Sequence, residues 1–485
     1  MPQRLTSRRQ FLLTTAAATG SLCAPAVLRF ARAQEGDIPV RLPAHELDPD
    51  HPVVQSFKAA ILVMRGANGR PDYHPAHWSQ LCRYHAQLCG PNGSSDPRAD
   101  VHGTWWFMPW HRAYLAVVEH LMREDSGDPT FALPYWDWHR HPAIPPIFEG
   151  DPAENPLAHE RRWLNGTEEA AADWQSLRDD WENTTPDQEA LTVADDAFED
   201  FAGGPILVTD EGPVFGVRPS IDPIHGRGHL YVGGYDGDMG AFPTAGFDPI
   251  FYCHHANVDR MWEVWRNSTR DGSPQRTEPS EDSDVTTWGG RPFAFQDALG
   301  GALIVRSADV LDTRNVRFTR YSVTEAPLLV HSYRYYRDRL DEALPPAVTE
   351  EPEVVALDFR GRSFLSEEPA QSRGLEPVTP EKGPPSKPPA QVLLRAKGIA
   401  VPATTTLITT ALKLADGRRI EVERDPIIPF GDAGKGATFA RKVVDLTEVV
   451  RRENLRPSDF TVEMTAASGQ GSTQLKIEGI ELEIR

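Results

Sequence analysis

Apolar residues recur at a period near 3.6 in two windows rich in aromatic and histidine residues. From His111 to Met122 the apolar positions are Tyr114, Leu115, Val118 and Leu121. From His254 to Trp265 they are Val258, Met261, Trp262 and Trp265. Each spacing predicts an amphipathic helix. Residues 286–340 turn toward strand character, with Ala302 to Arg306 and Val316 to Tyr321 as candidates. Beyond residue 390 the pattern becomes period two. Val392 to Leu394, Thr405 to Leu414, Lys442 to Val444, Phe460 to Thr465 and Gln474 to Ile484 read as strands. Asp416-Gly417 reads as a turn between two of them. Such alternation predicts half-buried strands in a sandwich. No repeat of solenoid type is present.

Two other stretches depart from these patterns. Residues 345–390 hold ten prolines, from Pro345 to Pro389, a density that opposes helix and favours an extended linker. Residues 151–200 are acidic and dotted with Trp, and read as exposed helices and loops. At the amino terminus, Ser7-Arg8-Arg9-Gln10-Phe11-Leu12 resembles a twin-arginine export signal. A moderately apolar run follows to Leu28, with a small-x-small cleavage site at Ala31-Arg32-Ala33. Thr, Ser, Gly and Pro interrupt that run, which speaks against a stable membrane anchor. The expected organisation is a leader at 1–33, a helical domain at 34–344 whose segment 286–340 is strand-rich, a linker at 345–390 and an all-β domain at 391–485. Export would deliver the protein to the periplasm or outside the cell.

Charge and cysteine content narrow the function. The chain of 485 residues carries a formal net charge of −20, which disfavours nucleic acid as a partner and leaves small neutral molecules as suitable ones. Of four cysteines, Cys23 falls in the leader, so Cys82, Cys89 and Cys253 remain, an odd number that cannot pair completely.

The histidines carry the candidate chemistry. His225 and His229 are four apart, a spacing that stacks two imidazoles on one helix face. His254 and His255 are adjacent, about 100° apart on a helix, so one of the two is expected to face a given metal. Asp259 follows His255 by four and is expected to accept a hydrogen bond from a nearby ring N–H. Upstream, His85, His102 and His111 lie among dense aromatics. Histidine-only sites suit copper, whereas paired iron or manganese leans on carboxylates; zinc is the competing ion for any three-histidine site.

The run His102, Phe107, His111-Arg112, Leu115 and Glu119 resembles the first copper signature of the tyrosinase and polyphenol oxidase family. The run from Asp248 through His254-His255 to Asp259 resembles the second. The resemblance implies a mainly helical copper domain built on a four-helix bundle, followed by a β-sandwich as in the plant enzymes. It implies two copper ions, one on His85, His102 and His111 and one on His225, His229 and His255, with His254 behind the ligands. Cys89, four after His85, corresponds to the cysteine that forms a thioether to the second ligand, here His102.

The same resemblance implies oxidation of o-diphenols to o-quinones by dioxygen, making the chain a phenol oxidase. Gly226, Leu230 and Phe242 would line the substrate pocket, with Phe242 as an aromatic gate. Members that also hydroxylate monophenols carry Asn after the first copper B histidine and Glu four before it. Here those positions are Gly226 and Ile221, with Asp222 as the nearest substitute base. Diphenol oxidation is therefore the firmer expectation. A specialised o-aminophenol oxidase and a haemocyanin-like oxygen binder are the alternatives. In the plant enzymes the sandwich shields the copper pocket until the tether is cut, which would add an activating protease, beside a copper chaperone, to the partners.

Overall fold

Helices build the first half of the chain because its buried positions follow a helical period. The computed structural model describes residues 38–88, 101–162, 178–179, 181–182, 192–210, 212–234, 237–268, 276–279, 287–320, 328–340, 344, 353–357, 364–365, 370–371, 389, 391–427, 438–468 and 474–485. The leader at 1–33, Cys89 and most of the prolines of 345–390 lie outside these residues.

After a short strand β1 (Val40–Arg41) come α1 (Pro52–Met64), α2 (Trp78–Leu88) and α3 (Phe107–Ser126). The window expected from His111 to Met122 is thus the middle of a longer helix. Pro109 is tolerated in its first turn, where backbone N–H groups have no intrahelical acceptor. Gly127, with φ +70, ends α3 in the left-handed conformation that favours glycine. A short α4 (Phe198–Ala202) precedes α5 (Ile221–Gly233) and α6 (Ile250–Asn267). At the start of α6, Asp248 Oδ1 accepts from the Ile250 N–H at 3.1 Å while Arg162 grips the same carboxylate at 2.6 and 2.7 Å.

α3 packs against α1 and α6, and α5 against α6. α3 is buried from Phe107 to Met122 apart from His120, and α6 at all but three positions, so both helices run through the core rather than along its surface. Within the acidic stretch, Trp181 is buried and packs on Trp136 and Tyr231.

Between α4 and α5 lies a hairpin absent from the sequence reading, β2 (Ile206–Thr209) and β3 (Gly212–Val217). The strand-rich segment forms an antiparallel meander of β4 (Pro292–Gln296), β5 (Ala302–Arg306), β6 (Val316–Arg320) and β7 (Leu328–His331). Its Phe295 ring faces Trp110 and Tyr114 of α3. β8 (Arg334–Tyr335) pairs in parallel with β1, tying the two ends of the helical region together.

Within the proline-rich segment, β9 (Glu353–Leu357), β10 (Phe364–Leu365) and β11 (Ala370–Gln371) are strands. They are followed by β12 (Val392–Ala400), β13 (Thr406–Leu414), β14 (Arg419–Ile427), β15 (Thr438–Asp445), a short α7 (Thr447–Arg452), β16 (Phe460–Ser468), β17 (Leu475–Lys476) and β18 (Gly479–Ile484). β13 and β14 meet at the expected Asp416-Gly417 turn, where Gly417 has φ +89. A six-stranded sheet runs β2-β3-β15-β12-β18-β9, and a four-stranded sheet runs β11-β16-β13-β14. The helical region and these sheets belong to one compact unit, Pro39–Arg485.

Candidate metal centre

Four helices and one turn aim imidazoles at one buried volume. His85 comes from α2, His102 from the turn before α3, His111 from α3, His225 and His229 from α5, and His254 and His255 from α6. All seven are buried. Nitrogens of His85, His111 and His255 lie within 4.8 Å of one another, and so do those of His225, His229, His254 and His255. His102 joins by ring contact, 5.2 Å from His85 and 5.0 Å from His111 between centroids. The His111 and His255 rings stack at 4.2 Å with planes 3° apart, so α3 and α6 bring the two groups face to face.

Backbone carbonyls fix three of these rings. Nδ1–H of His85 donates to the Phe242 carbonyl at 2.7 Å, His111 to Phe107 at 2.8 Å and His229 to Met239 at 2.7 Å. With Nδ1 protonated, each Nε2 presents a lone pair. Nε2 of His85, His111 and His225 has no protein partner among the described residues although buried. A buried polar atom without a partner is costly, and a cluster of them pointing together is the signature of a ligand cage.

Burial also sets the charge state. It lowers the His85 pKa to about 3 against the pull of the Phe242 carbonyl. Burial, reinforced by neighbouring imidazoles, holds His102, His111, His229, His254 and His255 well below 6.5. It lowers His225 as well, against the opposing pull of Asp222. Neutral imidazoles are the form that binds a metal ion.

His254 lies within the second nitrogen group and is not remote from it. Its ring fits because α5 carries glycine at 228, where a Cβ would come within 2.3 Å of the His254 Cε1. This explains a glycine in a helix interior, a position where it is otherwise unfavourable.

Asp259 corrects one expectation. It accepts from no imidazole; its oxygens meet Arg41, Arg112, Tyr333 and Tyr335 at 2.5–3.1 Å. One turn beyond His255, its carboxylate falls among two buried guanidinium groups, which are stronger partners than a neutral ring. Glu119 joins the same network through Arg41 at 2.9 Å, Arg123 at 2.8 Å and His331 at 2.8 Å. Burial alone would raise the Glu119 pKa, but these three partners outweigh it and hold the carboxyl below its usual range. The sequence motif contains Arg112, Glu119 and Asp259, but Arg41, Tyr333 and Tyr335 come from distant segments and no local spacing marks them.

The remaining candidates are placed as follows. Phe242 is buried, with its ring 4.4 Å from that of His102. Gly226 and Leu230 are buried on α5 beside His225 and His229. Asp222 Oδ2 accepts from Arg218 Nε at 2.7 Å, and its Oδ1 lies 3.8 Å from His225 Nδ1. Ile221 is wholly buried. The Cys89 thioether lies outside the described residues; Cys82 and Cys253 are buried and free.

Residues 75–268 match the model of the common central domain of tyrosinase. Polyphenol oxidase B of Solanum lycopersicum is 31% identical over 305 residues, covering 58% of this chain and 48% of the relative. The polyphenol oxidase of Spinacia oleracea is 32% identical over 314 residues, covering 59% and 48%. Both are chloroplastic by name, and the chain spans about half the length of these curated relatives. Among solved structures, a latent aurone synthase described as a polyphenol oxidase superposes with a TM-score of 0.62 at 22% identity. It covers 94% of this chain and 91% of its own, a likeness of fold. Residues 75–268 of the chain therefore carry the common central domain of tyrosinase.

Proposed function

We propose that this chain is a copper-dependent phenol oxidase that converts o-diphenols to o-quinones with dioxygen. His85, His102 and His111 would hold one copper ion and His225, His229 and His255 the other, with α2, α3, α5 and α6 as a four-helix bundle around the pair. The observation that carries this reading is the convergence of buried, partnerless Nε2 atoms at rings anchored through Nδ1. An all-imidazole donor set fits copper. Copper held there would supply the redox couple and the dioxygen activation that no side chain provides.

The protein's own part is positioning. The carbonyls of Phe242, Phe107 and Met239 keep the ring tautomers fixed. Phe242, Phe251 and Phe107 pack on the imidazoles and keep water away from them. A phenol stacking on this aromatic lining would be oriented by ring contact.

Diphenol turnover is the reading favoured over monophenol hydroxylation. The residue at 221 is an apolar, buried Ile, and the Asp222 carboxylate is engaged by Arg218. Burial would raise the Asp222 pKa, but Arg218 outweighs it and lowers it, which weakens this group as a base. The test is copper analysis of the loaded protein followed by parallel assays on a catechol and the matching monophenol. Two ions per chain with quinone formed from the catechol at least about 100-fold faster supports the reading. One ion per chain, or equal rates, contradicts it.

Twin-arginine export belongs to the same proposal. No helix among the described residues is long and apolar enough to cross a membrane. Replacing Arg8 and Arg9 by Lys should retain the chain in the cytoplasm, as cell fractionation would show.

A further inference from the structure

The strands beyond residue 390 are flanked on both sides by strands that lie before residue 372. In the six-stranded sheet, β15, β12 and β18 occupy the middle. One edge is the β2–β3 hairpin, with Val214 and Val217 of β3 in register with Thr438 and Arg441 of β15. The other edge is β9, paired with β18 from Ile480↔Leu357 to Ile484↔Glu353. β11 borders β16 in the second sheet, and β10 pairs with β17.

The hairpin leads directly into the histidine helix. Only three residues separate Val217 of β3 from Ile221 of α5. One of them, Arg218, is almost fully buried and spans the gap. It forms an ion pair with Asp425 of β14, donates Nη2 to the Pro426 carbonyl at 2.6 Å and donates Nε to Asp222 at 2.7 Å. Asp425 is also buried and is held by Lys442 of β15 at 2.7 Å, which in turn reaches Glu423 at 2.5 Å. Two residues beyond His225, Arg227 donates Nε to the Arg424 carbonyl at 2.6 Å. A charged chain thus runs Lys442, Asp425, Arg218, Asp222 and ends beside His225 Nδ1.

We infer that the C-terminal strands are a permanent support of the copper B half, with Arg218 and Asp425 as positioning residues for His225, and that a cut between residues 372 and 388 does not release them. This rests on the proposed role of His225 as a copper ligand. The physical reasons are two. Release would strip ladder partners from both edges of the sheet and expose unpaired backbone groups. It would also leave a buried guanidinium without its main carboxylate. Shedding of the C-terminal strands is therefore closed as a means of opening this site.

The test uses the full, copper-loaded chain with a specific protease site placed between residues 372 and 388. After cutting, the two pieces should elute together by gel filtration and keep the original copper content. Separation under native conditions with both copper ions retained by the larger piece would overturn the inference. In the uncut chain, Arg218→Met and Asp425→Asn should each weaken binding of one of the two copper ions by about 10- to 100-fold, as loss of a residue behind a metal ligand does. Arg218→Lys should recover part of that loss. Lys397→Gln, at the exposed Lys397–Glu481 pair, should change neither site. Unchanged affinity at both sites in Arg218→Met and Asp425→Asn would refute the positioning role. A wild-type chain that bound no copper would instead remove the proposed function; co-elution of the cut pieces needs no metal and would still decide whether the strands are held.

Discussion

The helical region and the C-terminal sheets solve burial in opposite ways. Around α3 and α6 the core takes in the seven clustered imidazoles and His331, the guanidiniums of Arg41, Arg112 and Arg260, and the carboxylates of Glu119, Asp248 and Asp259, each costly to desolvate. In the sheets, β12 and β13 bury mostly Val, Leu, Ile and Ala, and many charged pairs remain at the surface. One region spends stability to hold chemically competent groups dry and fixed. The other supplies stability through apolar area and ladder hydrogen bonds. The contrast teaches where the buried charges are used: Arg41, Arg112, Glu119 and Asp259 tie the helices around the imidazoles and Arg218 and Asp425 tie α5 to the sheet, whereas buried Glu463 and Glu483 pair with arginines of other strands.

Removing a ligand should break the contrast most severely. His255 belongs to both nitrogen groups, so His255→Ala should lower turnover at least about 1,000-fold and remove copper, checked by metal analysis and quinone absorbance.

The next largest effect is on the ties. Asp259→Ala leaves Arg41 and Arg112 buried without their shared carboxylate. It should cost about 3–5 kcal/mol in stability, measured by denaturant unfolding of the metal-free protein.

pH should separate the regions more gently. Burial lowers the His331 pKa from 6.5 to about 3, against the pull of Glu119. A depressed pKa in the folded state means that the unfolded chain binds the proton first. The contribution of neutral His331 is then complete above about pH 6.5 and is lost as pH falls toward 3, by roughly 1.4 kcal/mol per unit. His331→Gln should flatten that part of the profile; an unchanged slope would show that His331 does not titrate this way.

A smaller loss is expected at Gly228→Ala, where the added methyl meets His254. A cost of about 1–3 kcal/mol should appear as a lower Tm, with His254→Ala relieving it. The smallest belongs to the sheet surface. Arg418→Gln, which breaks exposed pairs with Asp416 and Glu453, should change stability by less than about 1 kcal/mol.

Several features of this architecture are legible in local spacing. The helix windows at 111–122 and 254–265, the Asp416-Gly417 turn and most strands beyond 391 follow from periodicity. β14 is the exception: Arg419-Ile420-Glu421-Val422-Glu423 alternates, but the run is short and breaks at Arg424-Asp425-Pro426, and its pairing with β13 supplies the order. β9 escapes notice because the surrounding prolines suggest a tether. The β2–β3 hairpin is short, and its place is decided by β15, more than 200 residues later.

By itself the sequence determined the histidine inventory, the helical spacing of His225 and His229 and the identity of the flanking motif residues, because each depends on neighbours within a few turns. Only the tertiary structure decided that His255 faces both nitrogen groups, that Asp259 serves arginines rather than a ring, and that Arg218 reaches Asp425. Those outcomes depend on which distant groups arrive in a low-dielectric interior and compete for the same atoms. No local pattern encodes that competition.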